Sequence, residues 1–143
     1  MKLGITLFEL FSETLNLHSN YLRDMELGCI DRISCAAHYY PACPEPELTM
    51  ETIKHSDASF LTVLLQDHID GLQIFHKDKW VNVRFVPETL VVNVGDLLQI
   101  LTNDRFKSIY HRVLSNLIGP RISIACFFGN SVPLASKLLG PIK

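Results

Sequence analysis

No apolar run in this chain approaches the roughly 18 residues that a membrane-spanning helix needs. The N-terminal "MKLGITLFELFSETL" places Glu9 and Glu13 where a secretory leader would carry an uncharged core. These two absences point to a soluble, cytoplasmic protein. Net charge is only -2, with acids and bases interspersed. That leaves no basic stripe for nucleic acid and no polybasic patch for a membrane surface. The four cysteines, Cys29, Cys35, Cys43 and Cys126, form neither a CxxC pair nor a zinc-ribbon spacing. Reduced thiols in a reducing compartment are expected, not a disulfide framework. There is no internal repeat and no low-complexity tract, and 143 residues suffice for one domain with its own core.

What the chain does contain is a change of period. Leu3, Leu7, Leu10, Phe11 and Leu15 recur at spacings of three and four, which predicts an amphipathic helix over 2–17. Ser19 is placed to cap a shorter helical piece in "NYLRDM". Beyond Gly28 the helical period ends. "RISCAAHYYP", "FLTVLLQD", "LQIFHK", "KWVNVRFV", "TLVVNVG", "KSIYHRVL" and "RISIACFF" are rich in β-branched and aromatic residues. Turn chemistry separates them, including Asp70-Gly71, "KDK", Pro87 and Gly119-Pro120. The proline-spaced "PACPEPELT" reads as a loop, and "GDLLQILTN" as a turn of helix between strands. The pattern predicts a mainly β sandwich or barrel. Residues 1–28 form a helical segment packed on it, and residues 29–143 form the β domain itself.

Three features carry chemistry. His55 and Asp57 lie two residues apart, and in an extended strand such residues project from one face. His111, in a late strand-like segment, offers a distant third ligand. Two histidines and a carboxylate on one face of an octahedral metal leave the opposite face open, which suits non-haem Fe(II). The spacing alone is common by chance and leaves a purely structural role open. Arg121 and Ser123 share a strand face within the very apolar "GPRISIACFF", where an unpaired guanidinium is costly; a carboxylate is a fitting partner. Tyr40, in "HYYPAC", is placed either to donate to that carboxylate or to serve as a core tyrosine.

Taken together, "YYPACP" fifteen residues before His55, "HSD", "HRV" and then "RIS" ten residues after His111 closely resemble the plant soluble Fe(II)- and 2-oxoglutarate-dependent dioxygenases. "PEPELT", "FLTVLLQDHIDGLQIFHKDKWVNV" and "VVNVGDLLQILTNDRFKS" extend the resemblance, which runs from about Ile30 to Lys143. The group it looks most like is that of the aminocyclopropanecarboxylate oxidase homologues. The resemblance implies a distorted double-stranded β-helix, the cupin-like jelly roll, preceded by an amphipathic helix. It implies Fe(II) held by His55, Asp57 and His111, and 2-oxoglutarate held by Arg121, Ser123 and Tyr40. Phe127 falls where related enzymes place an aromatic against the organic substrate. The implied cosubstrates are 2-oxoglutarate and O₂, with ascorbate as a reductant. The implied reaction is hydroxylation or another oxidation of a small organic metabolite, with release of succinate and CO₂. Neither the substrate nor the oligomeric state is readable.

The sequence also departs from the family. Members are typically twice this length or more, so a truncated, non-catalytic jelly-roll fragment that retains metal is the competing expectation. An oxidase that dispenses with 2-oxoglutarate is a third, because the Arg-x-Ser pair is kept in such an enzyme. His38 stands where relatives usually have Asn. Asp70 replaces a usual Gly, with strain expected if that position needs a positive φ. Tyr110 precedes His111 where Glu or a small aliphatic residue is common. His18, His38, His68 and His76 read as surface or core histidines, not ligands.

Overall fold

The computed structural model describes residues 2–25, 33–129 and 141–142. The first helix, α1 (Lys2–Thr14), is followed by one turn of helix, α2 (Tyr21–Asp24), whose N-cap is Asn20 with no side-chain cap bond. Then come β1 (Ile33–Tyr40), β2 (Met50–His55), β3 (Leu61–Gln66), β4 (Leu72–His76), β5 (Lys79–Asn82) and β6 (Val91–Val94). The short α3 (Asp96–Leu101), β7 (His111–Leu114) and β8 (Arg121–Phe128) complete the described elements. The junction expected between residues 28 and 29, and Cys29 with it, lie outside the described residues.

The strands form two four-stranded sheets, ordered β1-β8-β3-β6 and β2-β7-β4-β5, and every pairing is antiparallel. Sequence neighbours such as β2 and β3 sit in different sheets. This alternation is the winding of a jelly roll, the architecture the sequence led us to expect. Seven of the eight strands coincide with the apolar segments named above. The eighth, β2, occupies "METIKH", just beyond the stretch read as a loop. It pairs irregularly with β7, with register shifts on either side of Thr52.

Strand alternation separates two cores. Leu61, Val63 and Phe128 point outward from the first sheet and pack with Phe8, Leu15 and Leu22 of the helical layer and Leu98 and Leu101 of α3. The Phe8 ring meets Phe60 and Phe128 edge-on, with centroids 6.4 and 6.2 Å away. Gly4 lies against the Phe128 ring, leaving no room there for a Cβ. On the inner side, Leu64 and Ala125 of the first sheet meet Leu72 and Val113 of the second. Residues one step out of phase with the outer set therefore face the space between the sheets.

Two expectations are corrected. Cys35 and Cys126 are register partners across β1 and β8, with Cα atoms 4.2 Å apart, and they are joined as a disulfide where reduced thiols were expected. A directly opposed antiparallel pair brings Cβ atoms close enough for this. Cys43 is free. Asp70 does not take a positive φ, so the anticipated strain is absent. Its carboxylate instead accepts the Phe85 backbone N–H at 3.1 Å. The "KDK" turn does use left-handed backbone, with φ of 48° at Lys77 and 60° at Asp78, which suits a two-residue hairpin.

Candidate metal and anion site

His55 and His111 are opposite each other in the β2–β7 register, so a single pairing brings together residues far apart in sequence. Their rings are 4.2 Å apart between centroids. Asp57 does not share an extended strand with His55, as the i, i+2 reading supposed. His55 is the last residue of β2 and Asp57 lies in the connection to β3. That connection is pinned to the start of α3: the Asp57 carbonyl accepts the Asp96 N–H at 2.8 Å, and the Ser56 hydroxyl donates to the Asp96 carboxylate at 3.0 Å. The connection between the two sheets, not a strand pleat, carries the Asp57 carboxylate to the histidines.

One ligand atom from each of His55, Asp57 and His111 lies within 4.8 Å of the others. Asp57 Oδ1 is 3.6 Å from His111 Nε2 and 3.9 Å from His55 Nε2. His55 Nδ1 donates to the Ile53 carbonyl at 2.8 Å and His111 Nδ1 to the Ile109 carbonyl at 3.2 Å. Because a carbonyl only accepts, both rings carry their proton on Nδ1 and present a lone pair at Nε2. This is the arrangement that orients histidine for a metal. Asp57 Oδ2 is buried with no hydrogen-bond partner among the described residues. An ionised oxygen left so is expensive unless a cation meets it. The donor set fits a divalent metal with open positions.

The cavity beside these residues has a volume of about 70 Å³ and is lined from both sheets. Arg121, Ser123, Ala125 and Phe127 all contribute, as consecutive inward positions of β8. Arg121 is only 2% exposed and makes no salt bridge to a carboxylate among the described residues. Its Nε donates to the Ile69 carbonyl at 3.1 Å and Nη2 to Gln66 Oε1 at 3.1 Å, while Nη1 faces Ser123 Oγ at 3.5 Å. Burial pulls its pKa below the ordinary guanidinium value, and Tyr40 together with the charges of Asp67 and Asp70 pulls it back. A buried guanidinium whose hydrogen-bond partners are all neutral is chemically suited to meet an anion.

Tyr40 is the register partner of Arg121. Its ring lies 5.2 Å from the guanidinium carbon, and its hydroxyl shares a 3.3 Å hydrogen bond with Thr52. Gln66, Thr52, Thr62 and Asn93 went unnoticed in the sequence. Gln66 and Thr62 alternate with Leu64 along β3, but nothing in the pattern said that this face looks at Arg121. His38, read as a surface or core histidine, lines the cavity. His18, His68 and His76 do not.

The family model for the 2OG-Fe(II) oxygenase superfamily matches residues 34–130. The chain belongs to this superfamily. It is 57% identical over 143 residues to 1-aminocyclopropane-1-carboxylate oxidase homolog 1 of Arabidopsis thaliana, and 52% identical over 145 residues to deacetoxyvindoline 4-hydroxylase of Catharanthus roseus. The match takes in 100% and 99% of this chain but only 39% and 36% of those relatives. The 2OG-Fe(II) oxygenase chain thus spans about two-fifths of their length. Among solved structures, JOX2 in complex with 2OG, Fe and JA superposes with a TM-score of 0.87 at 32% identity, over 99% of this chain and 41% of that one. The Arabidopsis thaliana dioxygenase for auxin oxidation 1, in its 2-oxoglutarate complex, gives 0.83 at 25% identity, over 98% and 51%. No described helix is long and apolar enough to cross a membrane.

Proposed function

We propose that this chain is the metal- and cosubstrate-binding part of a cytoplasmic Fe(II)- and 2-oxoglutarate-dependent oxygenase acting on a small organic metabolite, by hydroxylation or another oxidation. The carrying observation is one cavity with the His55, Asp57 and His111 ligand atoms in its wall and the buried, carboxylate-free Arg121 in the same lining. In this reading the three side chains hold Fe(II), with Asp57 Oδ1 the oxygen that faces both His55 Nε2 and His111 Nε2. Arg121 and Ser123 grip the distal carboxylate of 2-oxoglutarate through charge-assisted hydrogen bonds. Gln66 and the Ile69 carbonyl fix the guanidinium so that little is lost on binding, and the Tyr40 ring braces it. Phe127 supplies an apolar wall toward the organic substrate.

Fe(II) with 2-oxoglutarate and O₂ supplies the oxidising chemistry, with release of succinate and CO₂. The protein's own contribution is position and shielding: Leu64, Leu72, Val113 and Ala125 line the cavity and keep it apolar. The competing reading, a metal-binding fragment without catalysis, is favoured by the chain's 39% share of its relatives. Succinate formation separates the two. Residues 1–143 supplied with Fe(II), ascorbate, O₂ and 2-oxoglutarate should form succinate slowly without organic substrate, and His111→Ala should not. Folded, metal-loaded protein that forms none supports the fragment reading.

A further inference from the structure

The Cys35–Cys126 disulfide ties β1 to β8 across a sequence separation of 91 residues. In the cytoplasm, the compartment proposed above, glutathione keeps thiols reduced, and the disulfides that do form are mostly catalytic or redox-sensing. Cys126 alternates with Ala125 and Phe127 of the cavity wall, so the bridge lies on the outer face of the first sheet and faces away from the metal triad. That position leaves sensing, not catalysis. The bridge is also within reach, since Cys35 is exposed and Cys126 half-buried. The strand it ties down has little else to anchor it. None of the eight residues of β1 is buried, and among the described residues β1 pairs only with β8, at the edge of its sheet. An element with so few buried contacts is prone to open locally. Yet β1 sets Tyr40 opposite Arg121, with its ring 5.2 Å from the guanidinium carbon. A tie on the outer face therefore steadies one wall of the anion site on the inner face.

We propose that Cys35 and Cys126 are a reversible oxidation site: the disulfide holds β1 on β8, and its reduction loosens β1 and weakens binding of the anionic cosubstrate. The inference rests on the proposed function for its ligand, 2-oxoglutarate, and for its compartment. The reductant is a small thiol, glutathione. Its thiolate attacks the exposed Cys35 Sγ, the bond between the two cysteine sulfurs breaks, and Cys126 leaves as a thiolate that takes up a proton. A second glutathione thiolate attacks the glutathione sulfur of the mixed disulfide and displaces Cys35, which is protonated in turn. Two glutathiones become one oxidised glutathione, and the protein gains two thiols. The triad is carried by β2, β7 and the connection from β2 to β3, so metal affinity should not follow the redox state.

The test is calorimetric titration of the Mn(II)-loaded protein with 2-oxoglutarate in glutathione buffers of stepped ratio, with alkylation and peptide mass reporting Cys35 and Cys126 at each step. Affinity should fall about 5-fold on reduction, at the low end of typical coupling between sites, and share its midpoint with the alkylation curve. Mn(II) affinity should hold throughout. Cys35→Ser should bind like reduced wild type at every ratio. Amide exchange of wild type, which needs no variant to fold, should quicken in β1 on reduction and stay unchanged in β3. Equal 2-oxoglutarate affinity in oxidised and reduced wild type, or β1 exchange that ignores the ratio, overturns the oxidation site while leaving the proposed function standing. So does an affinity that still follows the ratio in Cys35→Ser, because the response then belongs to another thiol. Wild type that binds Mn(II) but no 2-oxoglutarate in either state overturns both.

Discussion

At the scale of single residues, the site is a set of polar groups that the fold leaves incomplete. Among the described residues, Asp57 Oδ2 and His38 Nδ1 have no hydrogen-bond partner and Arg121 makes no salt bridge. Losing an outer-sphere partner typically weakens a metal site about 10- to 100-fold, so losing a direct ligand should exceed that. Asp57→Ala is therefore expected to weaken divalent metal binding by more than about 100-fold, measured by competition with a fluorescent chelator. Thermal stability of the metal-free protein should hold or rise, because the substitution also removes an uncompensated buried charge. Asp57 and Arg121 were legible in the sequence because a carboxylate and a guanidinium in apolar surroundings call for partners, whereas His38 was read as a surface or core histidine. Gln66 was not, because an amide at the end of an apolar strand becomes informative only once the register shows that it faces Arg121.

Among elements, the strands with strong β-branched character were readable and β2 was not. "METIKH" mixes two charges into six residues, its burial does not alternate cleanly, and its ladder slips twice. Yet β2 delivers His55 to His111. The Asp57 connection depends on a different junction, between β6 and α3. Gly95 donates its N–H to the Phe60 carbonyl at 2.9 Å, and a Cβ at Gly95 would collide with the Ser59 backbone carbonyl. Backbone cannot yield as a flexible side chain does. Gly95→Ala should therefore displace the 57–60 connection, costing about 1–3 kcal/mol of stability and weakening metal affinity in the same variant. Denaturant unfolding and metal titration check it together. Loss of stability with unchanged metal affinity would show that the junction does not position Asp57.

Across the whole molecule, function depends on closing two sheets over one cavity. The second sheet supplies His55 and His111, and the first supplies Arg121 and Ser123. Among the described residues, the helical layer packs on one end of the first sheet's outer face, at Leu61, Val63 and Phe128. At the other end Tyr39, Leu65, Val92, Ile122 and Ile124 remain exposed. Alternation predicted the two-faced strands, but not which half of a face the helices would cover, since that is set by tertiary packing. A ligand reaching from the triad to Arg121 must touch both sheets, so its binding reports their joint geometry. The direct measurement is an anaerobic titration of the Fe(II)-loaded protein with 2-oxoglutarate, following the weak visible charge-transfer band of a chelated keto acid. A saturating band is expected, one that disappears in His111→Ala and needs at least about 30-fold more 2-oxoglutarate in Arg121→Ala, from the loss of a buried charge partner. A folded, iron-loaded protein that shows no band, or an Arg121→Ala variant that saturates at the wild-type concentration, would contradict it.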